Sequence, residues 1–374
     1  MRVALPPLGI LAVDLVASLF RLTNGDTEQA GEQRITYTFV VRDLRRFVNK
    51  LQQIREDKGR SFDASFELLG AFRVGRGYSL EKPCGVKKIQ ELADKFIEEV
   101  DRHPSAIFTE LSTYRYMVDG KGKRVVLEWG LPPFLEYPPP IISGYEYVEG
   151  ARLWPAVQLV AHGTGKKVRV DQGFRREVNI SCRVLGAVAM GFAAAYVSGG
   201  MREGWIRLLV PMSMLELSIG EGLVLNMRRA SCKLPEHLAT LLIATTLGKP
   251  AVVKLVDLSY SRGPEVEKDA SYELAVDVAW GEEFLVAASA VGVGNAFATL
   301  AEHWCRCDRE RWRNDACKAV EALTEAARHV LLYAENKEPQ SAYMAKAFAM
   351  RAAGHGSKEL LGVAKKIVDF VDRL

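Results

Sequence analysis

The last 80 residues constrain the chain more than any motif does. From about Asn295 onward, apolar residues recur at helical spacing in four segments, Ala296–Trp304, Asn314–Ala334, Ser341–Ala353 and Lys358–Val371. Breaks fall at Glu338-Pro339 and Gly354-His355-Gly356, where proline cannot continue a helix and glycine ends one. Amphipathic helices in tandem must bury their apolar stripes against a neighbour, so this region predicts a small helical bundle.

The rest of the chain mixes periods. Leu8–Leu22 has helical spacing and stops at Asn24-Gly25, while Arg34–Val41 is β-branched and aromatic and predicts a strand. Leu44, Phe47, Val48, Leu51 and Ile54 form one helical face over Asp43–Ile54. Phe66–Val74 reads as a strand and Val86–Val100 as a charged amphipathic helix. Asp119 to Arg124 (DGKGKR) separates two β-rich runs and predicts a hairpin, with Asp-Gly supplying the turn. Val178–Val197 predicts a helix, Ala251–Leu258 and Tyr272–Trp280 predict strands, and Trp205–Val210, Leu215–Met227 and Leu238–Leu247 fit either class. The class is therefore α+β and multidomain, with mixed α/β N-terminal and central regions and a C-terminal helical bundle. A length of 374 residues is a prior for two or three domains. Five prolines between 131 and 144 mark a stiff connector, so the expected division is 1–144, 145–290 and 291–374.

Composition excludes some classes. No uncharged apolar run reaches membrane-spanning length, and Asp14 interrupts the apolar N-terminal stretch, which predicts a buried helix and no targeting signal. Six scattered cysteines form no dense framework, which implies a reducing, cytoplasmic setting. Asn and Gln total 15 against 96 charged residues, a balance that leans toward a thermophile.

Catalytic and metal signatures are weak. Gly292-Val-Gly294-Asn-Ala-Phe297 has Phe where a dinucleotide fingerprint needs a third small residue, so the expectation is helix packing. His303, Cys305, Cys307 and Cys317 are metal-ligand types, but one Cys-x-Cys with no second pair has no zinc spacing. On a helix, Cys305 and Cys307 point to different faces. Acids cluster at Glu265, Glu267 and Asp269 and at Glu282-Glu283, and the six histidines are dispersed. No catalytic residue, metal or cofactor is expected.

Charge is unevenly spread. Residues 1–150 are neutral, 151–262 carry net +8 and 263–374 carry net −4. The densest basic stretch, His162–Asn179, holds Lys166, Lys167, Arg169, Arg175 and Arg176 and precedes the apolar helix predicted from Val178. Lys121, Lys123 and Arg124 sit on the hairpin, Lys82, Lys87 and Lys88 follow a Gly-rich loop, and Arg228, Arg229 and Lys233 close an apolar segment. Gly-flanked basic loops let side chains and backbone N–H groups reach phosphates, which points to backbone tracking of a nucleic acid. Arg42, Arg45, Arg46, Lys50 and Arg55 line the other face of the Asp43–Ile54 helix and read as an ordinary solvated face. No base-reading module is legible.

The layout, with LGILAVDLVASLF, then RITYTFVVRDLRRFVNKL, a basic centre with NISCRVLGAVAMGFAAAYV and a helical C-terminus, resembles the large subunit of the archaeal type I-A CRISPR interference (Cascade) complex. The resemblance implies a non-catalytic subunit that contacts target-flanking double-stranded DNA, the displaced single strand and guide RNA. It also implies contacts to other subunits of the effector complex and docking of a helicase–nuclease, with sequence specificity left to guide pairing. Two other classes stay open at this point: a nucleic-acid-processing enzyme with a site of dispersed acids and histidines, and a structural or assembly protein, for example of a virus.

Overall fold

The computed structural model describes residues 1–5, 10–23, 26–29, 37–69, 86, 89–112, 115–120, 123–128, 147–151, 178–200, 205–213, 215, 223, 227, 232–260, 270–310 and 315–374. They are mixed helix and antiparallel sheet with a helical C-terminal region, an α+β chain as expected. Two compact units emerge: residues 1–196 with 258–273, and residues 197–257 with 274–374. The connector at 131–144, on which the three-part division rests, lies outside the described residues.

In the first unit, strands β1 (Arg2–Leu5) and β2 (Asp26–Gln29) flank β3 (Tyr37–Val40), both antiparallel to it, with Val3 and Thr27 in register with Phe39. Helices α1 (Ile10–Leu22), α2 (Leu44–Leu69), α3 (Ile89–Arg102), α4 (Pro104–Ser112) and α5 (Cys182–Ala195) complete the packed part. Four phenylalanines from four elements meet at its centre. Phe20 stacks on Phe39 at 4.8 Å between centroids and lies 5.3 Å from Phe47, which meets Phe108 edge-on at 5.7 Å. Offset and edge contacts of this kind add to the apolar burial of each ring.

Helix α5 packs against α1, α2 and α3, and its small residues are what allow it. A methyl group at Gly191 would lie 2.2 Å from the Leu15 carbonyl oxygen, and one at Gly186 would lie 2.9 Å from that of Leu92. The backbones of α1 and α3 thus occupy the space where side chains of α5 would be. The Ala- and Gly-rich composition of this helix is a packing requirement.

Several expectations change here. The helix expected over Val178–Val197 is shorter: Val178–Ser181 forms β7, paired with β6 (Tyr147–Ala151), and Tyr196–Gly200 forms β8. Residues 66–69, expected to open a strand, continue α2, because no proline or glycine pair ends the helix after Ile54. The hairpin is present, with β4 (Arg115–Gly120) antiparallel to β5 (Lys123–Glu128) across residues 121–122.

The second unit is built on a sheet in the order β11-β10-β9-β8, where β9 is Trp205–Pro211, β10 is Ala251–Tyr260 and β11 is Ala270–Trp280. Every residue of β9 is buried, Arg207 included. Helix α6 (Glu236–Leu247) is buried continuously from Leu238 to Ala244, and it packs against α7 (Glu282–Val291), α8 (Val293–Arg309) and α9 (Asp315–Asn336). Helices α10 (Pro339–Ala353) and α11 (Lys358–Val371) follow, with α10 packed on α9 and α11 on α8 and α10. All-round burial explains why the α6 segment shows no clean period in sequence. Helices α7 and α8 meet at 80° around Gly292, whose φ of 64° is left-handed and suits glycine. The Lys366 ammonium donates to the carbonyl oxygens of Val291 and Gly292, at 3.0 Å each, and a methyl at Gly294 would touch the Thr245 side chain. The glycine pair is a helix corner, as its sequence departures predict. Among the described residues no single helix is long and apolar enough to cross a membrane.

His237 on α6 is half-buried beside α9. Burial pushes its pKa down to about 4, with Glu325 opposing and Arg328 adding to the shift, and a hydrogen bond joins it to the Thr324 backbone. His329 on α9, stacked on Phe348, is shifted down for the same leading reason.

Two outcomes follow for stability. Gly191→Ala drives a methyl into backbone and is expected to destabilise the protein by about 3 kcal/mol in denaturant titrations. Gly362→Ala, with no atom within 4 Å of the added methyl, is the matched helical control and is expected to raise stability slightly. His237 folds neutral, so its contribution is fully present above its ordinary pKa of 6.5 and is lost as pH falls toward about 4. The loss amounts to about 3 kcal/mol at most. His237→Gln is expected to flatten the fall in melting temperature across that window, with the His329 contribution remaining.

Candidate nucleic-acid interface

The described cationic surface lies on α2. Phe47, Val48, Leu51 and Ile54 are buried, which turns Arg42, Arg45, Arg46, Asn49, Gln52 and Gln53 outward, with Lys50 half-buried at the margin. The Asp43 carboxylate caps the helix by accepting the Arg46 backbone N–H at 3.0 Å. Arg55, on the same helix, is held by Asp94 of α3 at 2.8 Å. Among the described residues no ion pair involves Arg45, Arg46 or Lys50.

This placement runs against the helix macrodipole. Backbone N–H groups at a helix start carry partial positive charge, so acids are favoured there and cations cost roughly 0.3–1 kcal/mol each. The first turn of α2 has no acid and carries Arg45 and Arg46. Apart from the Asp43 cap, no acid among the described residues offsets the two arginines there. By periodicity alone this face reads as ordinary solvated charge. The signal that distinguishes it, two arginines in the first turn behind a single capping acid, Asp43, is legible in RDLRRFVNK.

Of the residues predicted to touch phosphates, Lys123 and Arg124 lie on β5, in register with Gly120 and Asp119. Lys121, Lys82, Lys87, Lys88, Lys166, Lys167, Arg169, Arg175 and Arg176 lie outside the described residues, as do Arg228, Arg229, Glu265, Glu267 and Asp269. Lys233 is described, half-buried, with its ammonium 4.0 Å from the Asp257 carboxylate.

Among the described acids and histidines that sequence leaves as enzyme candidates, Glu283 and His303 have separate partners. Glu282 and Glu283 stand in the first turn of α7, where the dipole favours them, and Glu283 accepts from Lys337 at 3.0 Å. His303 faces Glu359 at 3.1 Å. Among the described residues no group of three His, Cys, Asp or Glu could hold a metal ion.

The cysteine reading is corrected. Cys232 is bonded to Cys305 and Cys307 to Cys317, and Cys182 is also disulfide-bonded. Cys305 and Cys307 do leave opposite faces of α8, but as bridge sulfurs and not as thiols, so no thiolate remains at this pair to bind metal. Sequence spacing could not reveal the pairing, because the partners lie 73 and 10 residues apart and meet only in the fold. Closing loops of those lengths removes about 4 and about 3 kcal/mol of unfolded-chain entropy, respectively. The bridges do not match the reducing setting expected from the scattered cysteines.

The charged pair of the second unit is equally hidden. Arg207 on β9 donates from Nε and Nη2 to the two carboxylate oxygens of Asp257 on β10, at 2.6 and 2.7 Å, with both side chains 3% exposed or less. Its signal is one buried charge in each of two apolar strands, WIRLLVP and AVVKLVDLSY, the latter also holding the half-buried Lys254.

No protein-family model matches the chain, and no curated protein matches it. Peptide mapping after digestion without reductant is expected to recover Cys232–Cys305 and Cys307–Cys317 linked peptides. Free thiols at these positions would overturn the pairing.

Proposed function

We propose that the chain is a non-catalytic nucleic-acid-binding subunit that grips phosphate backbones, and that it works in a CRISPR effector complex of the type I-A kind. The observation that carries the binding reading is the uncompensated Arg45, Arg46 and Lys50 face of α2. The net +8 of residues 151–262 supports it independently. Guanidinium groups suit phosphate through paired N–H donors, and contacts of this kind fix position without reading bases. The layout resemblance supports the assignment to an effector complex, in which target-flanking duplex, displaced strand and guide RNA are the ligands. The net −4 of residues 263–374 suits a face turned toward protein partners such as a helicase–nuclease. A cytoplasmic location belongs to the same reading.

The test is a salt series of binding to labelled duplex DNA, single-stranded DNA and RNA, with Arg45→Ala, Arg46→Ala and Lys50→Ala combined. Each phosphate left without its cation flattens the log–log salt slope on duplex by about 0.9, so the triple variant is expected to flatten it by about two to three units at every sequence alike. Its melting temperature is expected to hold or rise, since cations leave the positive end of a helix. Arg175→Ala with Arg176→Ala is expected to flatten the slope by up to about two units. Unchanged affinity in both variants would remove the nucleic-acid reading.

A further inference from the structure

The Arg207–Asp257 pair is closed by a short segment that a disulfide holds in place. Arg207 Nη2 donates a third hydrogen bond, at 2.9 Å, to the carbonyl oxygen of Leu234. Leu234 stands two residues after Cys232, whose sulfur is bonded to Cys305 in the last turns of α8. It also stands immediately before Pro235, which restricts Leu234 to extended backbone and sits at the N-cap of α6. The four residues from Cys232 to Pro235 therefore run between two fixed points, a bridge sulfur and a buried helix. Their carbonyl reaches the guanidinium because both ends are fixed.

The same segment brings the other charges near the pair. Lys233 lies 4.0 Å from the Asp257 carboxylate. Glu236 follows at the start of α6, its pKa raised first by burial and then by Asp257 and Glu335, with Arg207 opposing. Cys232, Leu234 and Cys305 are all buried, and the segment turns the Leu234 carbonyl toward Arg207 and the Lys233 ammonium toward Asp257.

We propose that the Cys232–Cys305 disulfide is a redox-sensitive latch that seals the buried Arg207–Asp257 pair. Oxidised, it holds the Leu234 carbonyl on the guanidinium and keeps water from the carboxylate. A dithiol reductant opens it by exchange: the Cys232–Cys305 bond breaks, each cysteine sulfur gains one electron and one proton, and the reductant closes its own disulfide. The segment is then fixed only at α6, the Leu234 carbonyl leaves Arg207, and the pair is exposed between β9 and β10. The second bridge, Cys307–Cys317, joins α8 to α9 ten residues on and ties down neither end of the Cys232–Pro235 segment, which makes it the internal control.

The experiment is hydrogen exchange by mass spectrometry on the full chain, comparing wild type with the double variants C232S/C305S and C307S/C317S. The latch predicts exchange roughly tenfold or more faster across 205–211 and 251–257 in C232S/C305S, with protection there retained in C307S/C317S. Equal loosening in both variants, or retained protection in C232S/C305S, overturns it. Should C232S/C305S fail to fold, wild type is titrated with dithiothreitol and the Cys232–Cys305 bond is followed by mass alongside exchange. Loss of strand protection in step with that bond supports the latch, and protection that outlasts its reduction overturns it. A third variant, Arg207→Met with Asp257→Leu, removes the charges. In that background, loss of the Cys232–Cys305 bond is expected to lower the melting temperature by less than in wild type, and an equal drop counts against the proposal.

Discussion

Moving a guanidinium and a carboxylate out of water costs several kcal/mol for each ion, and the second unit offsets this with geometry. Two parallel hydrogen bonds and a carbonyl use the fork of Arg207 in the way its planar donors favour. The pair also enforces register. A one-residue slip of β9 would send Arg207 to the opposite face and leave two buried charges without partners. The apolar residues of WIRLLVP would tolerate such a slip, since all of them are buried. The charges supply the discrimination that a uniformly apolar strand lacks.

The two units solve the packing problem by different means. In the first, α5 gives up side chains so that the α1 and α3 backbones can approach, and four phenylalanines fill the remaining centre. In the second, two bridges and a hydrogen bond converge on one short stretch of α8. His303 reaches Glu359, Cys305 reaches Cys232 and Cys307 reaches Cys317, so three different elements are tied to five residues.

How much of this the sequence announces depends on how local the cause is. The C-terminal helices are legible because period and breakers act within one turn, as at Glu338-Pro339. The β4–β5 hairpin is legible because its turn chemistry is local. Strand β8 after α5 is not, because its buried Tyr196, Val197 and Ser198 continue the buried run of α5 with no period to read. Helix α4 is too short to establish a period, and α7 merges with the apolar run before Gly292. The Arg207–Asp257 pair and both bridges depend on partners 50, 73 and 10 residues away, and nothing in local spacing selects them. The arginine face of α2 is visible in sequence, but its meaning comes only from knowing where the helix starts and which neighbours offer acids. Most of the basic loops lie outside the described residues, so their charge is legible while their placement is not.

The ammonium of Lys366 at the α7–α8 corner has a consequence for synthesis. The carbonyls of Val291 and Gly292 receive it from 75 and 74 positions later in the chain. A ribosome adding about 5–20 residues per second needs roughly 4 to 15 seconds to cover that distance. During that interval the emerging corner has its glycine but not its cation, and the two carbonyls are left to water. The bend is thus drawn early and secured late, so a nascent chain can rehearse the turn many times before the last helix arrives to hold it.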